Sequence, residues 1–211
     1  MRKLSLPFLI FISVTMLTLA ACGDSPVAQN VATDTEERPG SIWATMRGEW
    51  NNSVYTNELL GISFALPPGW SAHTDAEIAT IMDIGASTIE DVEFADESDW
   101  FTDMMVSCPS TGANVQIMFV RLPYYVTSID EYIEMEAVGL ELVGGIIDLS
   151  FTGTTRIGAY EWRSFDAMFD FGRMMYGRQF ITLQDGIARS ILISYFDDSE
   201  TLEEIMSMFE N

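Results

Sequence analysis

The stretch from residue 147 to residue 195 most constrains the fold, because it holds four successive strand-like runs. These runs lie near 147–156, 160–169, 174–183 and 187–195. Consecutive strands that are joined by short connections pair in antiparallel fashion. Asp185-Gly186, between the last two runs, favours a two-residue hairpin turn. This part of the chain is therefore predicted to form an antiparallel sheet.

Three helices are predicted to accompany the sheet. Thr74 and Glu77 have the spacing of a capping box, and so do Ser128 and Glu131. Ser199 is the N-cap of a last helix. After each cap, apolar residues recur at helical spacing, which predicts that each helix buries one side.

Further strands are predicted at 61–66, 104–108 and 114–122, with an acidic loop at 86–102. A sheet and amphipathic helices must bury their apolar sides against one another. The predicted fold class is therefore α+β, with a central antiparallel sheet and amphipathic helices packed on its faces.

The N-terminus resembles the signal of a bacterial lipoprotein. Arg2 and Lys3 precede an apolar run, and Leu19-Ala20-Ala21-Cys22 has the form of a lipobox. Acylation of Cys22 would anchor the protein to the cell membrane on its extracytoplasmic face. We expect a signal peptide at 1–21, a lipidated flexible tether at 22–46 and one domain at 47–211. An uncleaved anchor helix and ordinary secretory cleavage are the alternatives.

The charge limits the partners that this domain is expected to bind. Without residues 1–21 the chain keeps eight arginines against 32 acidic residues, which is a formal charge of −24. Nucleic-acid binding needs clustered basic residues, so it is not expected. Basic proteins and divalent cations remain compatible with this surface, although solubility alone also explains the charge.

The segment from Gly48 to Trp70 resembles the start of a PsbP-like domain. The resemblance is carried by Gly48-Glu49-Trp50-Asn51-Asn52-Ser53-Val54-Tyr55-Thr56-Asn57, then by Gly61-Ile62-Ser63-Phe64 and Leu66-Pro67-Pro68-Gly69-Trp70. Such domains occur in uncharacterised bacterial lipoproteins. The resemblance implies an α/β/α sandwich over about residues 47–211. It also implies action by binding other proteins, as in an extrinsic photosystem II subunit and a partner of the Ran GTPase. It carries over no binding residue.

Catalytic and transition-metal sites have weak support in the sequence. His73 is the single histidine, and Cys108 is the single thiol if Cys22 is acylated. A Cys108–His73 nucleophile is conceivable, but an inert Cys108 is the simpler interpretation. One histidine and one cysteine do not make a zinc site. The methionine pairs Met104-Met105 and Met174-Met175 suit Cu(I), yet methionine more often packs a core.

A cluster of carboxylates is the candidate cation site. It consists of Glu90, Asp91, Glu93, Asp96, Glu97 and Asp99. Flexible oxygen ligands suit Ca²⁺, but the spacing is not that of an EF-hand. A solvated acidic loop is the simpler interpretation. Paired carboxylates of a glycoside hydrolase cannot be located from the sequence.

Tyr124 and Tyr125 are the candidate partner contacts. They link a strand to a helix, and adjacent side chains point in different directions, so we expect one of them to be exposed as an interface anchor. One tyrosine in the core and one lying on the surface is the alternative. The leading hypothesis is a lipid-anchored protein-recognition or assembly module without catalysis. The alternative is a lipoprotein that binds a divalent cation or another small ligand, and a hydrolase is a third hypothesis.

Overall fold

The predicted fold class is confirmed by a computed structural model, which describes residues 42–87, 100–143, 146–170, 172–196 and 199–210. The strands are β1 (Glu49–Asn51), β2 (Val54–Asn57), β3 (Ile62–Ala65), β4 (Ser71–Ala72), β5 (Trp100–Ser107), β6 (Asn114–Arg121), β7 (Ile146–Ile157), β8 (Tyr160–Asp170), β9 (Met174–Gln184), β10 (Ile187–Phe196) and β11 (Phe209–Glu210). The helices are α1 (Asp75–Ser87), α2 (Ile129–Val143) and α3 (Ser199–Ser207), with a short 3₁₀ helix at Ile42–Thr45.

The central sheet has seven strands in the order β4-β5-β6-β10-β9-β8-β7 within the described residues. All its pairs are antiparallel, and its four C-terminal strands match the four predicted runs. The β9–β10 turn has positive φ at Asp185 (54°) and at Gly186 (73°). These are the angles that a type I′ hairpin turn requires.

A second sheet, which the sequence analysis did not predict, covers one face of the central sheet. Its order is β1-β2-β3-β11. Tyr55 and Phe64 from this sheet share one apolar core with Val115, Ile117 and other central-sheet residues. The strands of the second sheet are only two to four residues long. The strand predicted at 61–66 is β3, whereas the other strands of this sheet are too short to display a period of two in the sequence.

Two helices cover the opposite face. Tyr132 and Ile133 of α2 pack against β6, β8, β9 and β10, while Ile78 and Met82 of α1 pack against Met105 and its neighbours. Both capping boxes are present, since the backbone N–H of Glu77 donates to Thr74 Oγ1 at 3.3 Å and the backbone N–H of Thr74 donates to Glu77 at 2.7 Å. The third helix, α3, lies on the side of the second sheet and adds Leu202 and Ile205 to its core.

Strand β5 begins at Trp100, whereas the sequence analysis placed a loop up to residue 102. The pairing of β5 with β6 shifts register between Thr102 and Met104, so that Asp103 forms a bulge. A bulge breaks the alternation of buried and exposed residues. Residues 100–103 therefore lack the alternation from which the start of β5 could have been predicted.

Residues 42–46, which the sequence analysis placed at the end of the tether, belong to the packed structure. Met46 is buried, and Trp43 stacks on Phe101 with ring centroids 6.2 Å apart. Packed structure thus begins before residue 47. Among the described residues, no helix is long and apolar enough to cross a membrane.

Candidate functional site

Two predicted sites fall outside the described residues. These are the lipidation site Cys22 and the carboxylate cluster, whose members are Glu90, Asp91, Glu93, Asp96, Glu97 and Asp99. Acylation and Ca²⁺ binding therefore stay predictions. Within the described ranges, no group of three His, Cys, Asp or Glu residues is arranged to hold a metal ion.

Tyr124 and Tyr125 stand out from the surface. Tyr124 is 95% exposed and Tyr125 is 55% exposed. Their rings meet edge to face, with centroids 5.7 Å apart and planes at 82°. This is a favoured arrangement for two aromatic rings. The pair, which we call the tyrosine tip, presents a large amphipathic surface to solvent.

The chain on both sides of the tyrosine tip is anchored. Leu122 and Val126 are buried, and the Leu122 N–H donates to the Gly186 carbonyl at 2.8 Å. The Val126 N–H closes a turn by donating to the Pro123 carbonyl at 2.9 Å. The backbone N–H of Thr127 donates to the Glu131 carboxylate at 2.7 Å, and this bond lowers the pKa of Glu131 below its usual value. The tip is therefore fixed to the sheet and to the start of α2.

An aromatic stack with arginines lies near the tyrosine tip, on the side of the second sheet. Trp43, Phe101 and Phe119 stack in series, with successive centroids 6.2 Å apart. Arg121, the last residue before the tip segment, holds its guanidinium 5.5 Å from the Trp43 ring. Arg47 lies 4.4 Å from the Phe101 ring. We call this group, together with Arg189 and Tyr160, the arginine–aromatic cluster.

Arg189 is the buried member of that cluster, and sequence reasoning missed it. Its side chain is on the same face as Ile187 and Ile191, because residues two apart in a strand share a face. It is 4% exposed, and its guanidinium lies 4.6 Å from the Tyr160 ring. Its Nε and Nη1 atoms have no hydrogen-bond partner among the described residues. An arginine within the apolar alternation of a predicted strand was the available signal.

His73 and Cys108, the proposed nucleophile pair, lie on opposite faces of the central sheet. Cys108 belongs to the core under the second sheet, whereas His73 Nε2 lies 2.8 Å from Ser107 Oγ, on the side of α1. Burial lowers the pKa of His73, although the charge of Glu77 partly opposes this. Burial raises the pKa of Cys108, but hydrogen bonds from Ser110 and Thr111 outweigh it and the net shift is downward. The geometry therefore gives no support to a Cys108–His73 nucleophile.

The adjacent methionines also separate to opposite faces. Met104 packs in the core under the second sheet, while Met105 packs with Met82 and Met118 beneath α1. This is ordinary core packing. The geometry gives no support to a Cu(I) site at Met104-Met105.

A row of small and polar residues crosses the helix-covered face. It runs in register through Ser107, Asn114, Ser194 and Gly177. Gln116 Nε2 donates to Asn114 Oδ1 at 2.8 Å, which leaves Gln116 Oε1 as an acceptor. Beside this row, four side chains that are at most 1% exposed each hold a polar atom without a hydrogen-bond partner in the described part of the chain: Gln116, Gln179, Ser190 and Ser194.

Comparison with known proteins found similar folds among solved structures. No family model and no curated protein matches the chain. The solution structure of cyanobacterial PsbP (CyanoP) from Synechocystis sp. PCC 6803 matches 74% of this chain and 90% of its own, at 13% identity and a TM-score of 0.40.

Two other solved structures have similar values. The Ran-binding protein Mog1p of Saccharomyces cerevisiae matches 70% of this chain and 78% of its own, at 11% identity and a TM-score of 0.37. LpqN, involved in cell envelope biogenesis of Mycobacterium tuberculosis, matches 70% of this chain and 76% of its own, at 9% identity and a TM-score of 0.35. Such values do not place the chain in a family, and PsbP-like membership stays the expectation drawn from residues 48–70.

Proposed function

We propose that this protein is a lipid-anchored recognition module that binds another protein outside the cytoplasm and performs no catalysis. The observation that carries the proposal is the exposure of Tyr124, 95%, on a segment held at both ends by buried residues. The Cys22 lipobox supports the location, and the resemblance of residues 48–70 supports the mode of action.

The tyrosine tip has the properties of a binding anchor. Tyrosine provides a large contact area at a low cost in conformational entropy, because it has only two side-chain torsions. The anchored backbone lowers that cost further, since little freedom is left to lose on binding. Aromatic anchors of this kind carry a large share of the energy of many protein interfaces.

The experiment is crosslinking in cells of the tagged, lipidated protein, followed by capture and mass spectrometry. The double variant Tyr124→Ala/Tyr125→Ala should lose the partner that the native protein captures. The matched control is Ile147→Ala/Phe151→Ala, which removes two other exposed apolar side chains, 53% and 58% exposed, from β7. Recovery of the same partner at the same yield with the tyrosine variant would contradict the proposal.

The lipid anchor is tested separately. Cys22→Ser should leave an unprocessed precursor that takes up no acyl label, because the thioether to the lipid cannot form. A processed, membrane-bound Cys22→Ser protein would overturn the anchor without bearing on the tyrosine tip.

A second candidate function is the binding of a small polar ligand beneath the helices. The unpaired polar atoms of Gln116, Gln179, Ser190 and Ser194 favour it, since buried polar groups usually have a protein or water partner. A ligand that donates hydrogen bonds, such as a polyol, would satisfy them. Glucose should then raise the melting temperature of the native protein more than that of Gln179→Leu. Equal shifts would reflect general sugar exclusion from the surface, and would exclude this candidate.

A further inference from the structure

Arg189 differs from other buried or half-buried arginines of this chain in how its charge is balanced. Arg47 pairs with Asp75 at 3.0 Å, and Arg178 holds Asp166 through two bonds of 2.5 and 2.6 Å. Arg189 is 4% exposed and has no carboxylate within salt-bridge distance in the described ranges. The chain has 32 acidic residues, so carboxylates are abundant.

An arginine in this setting lacks an anion. Burial of a charge is costly unless the charge is paired and hydrogen-bonded. The ring of Tyr160, 4.6 Å from the guanidinium, offers attraction to its face but accepts no conventional hydrogen bond for Nε or Nη1. Because guanidinium donors match carboxylate oxygens in geometry, a carboxylate is the group that would complete this environment.

Arg189 has a second arginine, Arg121, as a neighbour on the same face of the central sheet. Arg189 pairs across the strands with Phe119, and Ile187 pairs with Arg121. Arg121 and Arg189 are therefore diagonal neighbours on one face, a relationship that brings long side chains within reach of each other. Arg121 is exposed and lies over Trp43, while Tyr160 is half-buried. Arg189 on β10 thus has an exposed guanidinium as its neighbour on the β6 side, and the Tyr160 ring on the β8 side.

We infer that the arginine–aromatic cluster binds a carboxylate, with Arg189 as its buried donor and Arg121 as the exposed guanidinium beside it. A carboxylate carries a single negative charge and balances a single buried guanidinium. A multiply charged anion would be repelled more strongly by the acidic surface of the domain. The group has two sources: a side-chain or C-terminal carboxylate of a protein segment, or a free organic acid. This inference does not depend on the tyrosine tip.

The test is thermal unfolding of the full-length lipidated protein in detergent at neutral pH, in acetate or in chloride at equal ionic strength. A ligand that binds only the native state raises the melting temperature as its concentration exceeds Kd. Acetate should raise the melting temperature of the native protein above its value in chloride. Arg189→Met should melt higher than the native protein in chloride, because it removes an uncompensated buried charge, and should show no acetate effect.

Two further variants keep the test decisive. Arg178→Met breaks the pair with Asp166 and should melt lower, yet it should keep the acetate effect. Arg189→Lys keeps the positive charge but lacks the planar guanidinium, so it should need about tenfold more acetate for the same shift in melting temperature. This variant also replaces Arg189→Met in the test if Arg189→Met does not fold. Absence of an acetate effect in the native protein, or an undiminished effect in both Arg189 variants, would overturn the inference.

A peptide arm separates the two sources of the carboxylate. The probe is the acetylated, amidated peptide Gly-Glu-Gly, which carries a single carboxylate, and it is compared with acetate at equal concentration. Stronger stabilisation by the peptide, lost in Arg189→Met, supports a protein segment as the ligand. Equal stabilisation supports a free organic acid. The Tyr124→Ala/Tyr125→Ala variant should respond to acetate as the native protein does, so that failure of the tyrosine tip and failure of this site are distinguishable.

Discussion

The hydroxyl of Tyr55 donates a hydrogen bond to the carboxylate of Asp103, and this bond joins the two sheets of the molecule. Asn57 Nδ2 donates to the same carboxylate at 2.8 Å, and the Gly48 N–H reaches its two oxygens at 3.0 and 3.1 Å. Three residues of the segment that resembles PsbP-like domains thus converge on one buried acid. The segment therefore forms a hydrogen-bonded joint between the two sheets.

Tyr55→Phe should destabilise the protein, because it removes one donor from a buried carboxylate. The expected loss in the free energy of unfolding is about 1–3 kcal/mol, measured by urea denaturation. Tyr176→Phe, in a half-buried tyrosine of β9, is the control and should stay within about 0.5 kcal/mol of the native protein. Equal effects of the two changes would contradict the role assigned to the Tyr55 hydroxyl.

Asp103 should make stability depend on pH. Burial raises its pKa above the ordinary value of 3.8, against the opposing effect of its hydrogen bonds. Such a carboxyl binds more protons in the folded than in the unfolded chain, so its contribution is full below pH 3.8 and is lost as pH rises through the folded pKa. The native protein should lose stability relative to Asp103→Asn as pH rises above 3.8. A constant difference across pH would show that Asp103 titrates normally.

Gly48→Ala should be strongly destabilising for lack of space. An added Cβ would lie 2.4 Å from Tyr55 Oη and 2.7 Å from the Thr56 carbonyl oxygen. We expect a loss of about 1–3 kcal/mol, typical of overpacking, in urea denaturation. Gly172→Ala is the control, since its Cβ meets nothing within 4 Å and only its φ of 80° is strained. A loss of stability at Gly48 no larger than at Gly172 would show that Tyr55 and Thr56 can move to make room for the added Cβ.

Alanine at Tyr124 should leave the stability almost unchanged, whereas alanine at Tyr132 should lower it strongly. Tyr124 is 95% exposed, so its replacement should change the free energy of unfolding by no more than about 0.5 kcal/mol. Tyr132 is fully buried on the side of α2 that faces the sheet, and its replacement should cost about 3–5 kcal/mol, as for other large aromatic residues in cores. A large loss at Tyr124 would mean that the tip supports the fold and is not reserved for a partner.

Protonation of His73 should lower the stability of the folded protein in mild acid. Its folded pKa lies below the ordinary value of 6.5, so the unfolded chain binds the proton more readily. Stability from the neutral side chain is full above pH 6.5 and is lost as pH falls toward the folded pKa. His73→Gln should remove this loss in denaturation series that start at pH 7. Parallel pH profiles for the two proteins would contradict it.

Local signals accounted for most of the elements. The capping boxes at Thr74 and Ser128 and the Asp185-Gly186 turn act over four residues or fewer, so their consequences can be predicted without the rest of the chain. The long C-terminal strands were equally predictable, because each extends over ten or more residues. In the second sheet, β3 was predicted within 61–66, but the other strands have only two to four residues and give too little signal.

Propensity and periodicity within single elements are enough to predict the α+β class, the helix starts and the C-terminal hairpin. Which side chains meet depends instead on how those elements pack together. The bulge at Asp103, the contact of His73 with Ser107 and the burial of Arg189 without a carboxylate all arise from contacts between different segments of the chain. Their energies depend on burial and on partners, and neither is encoded in the spacing of residues along one segment.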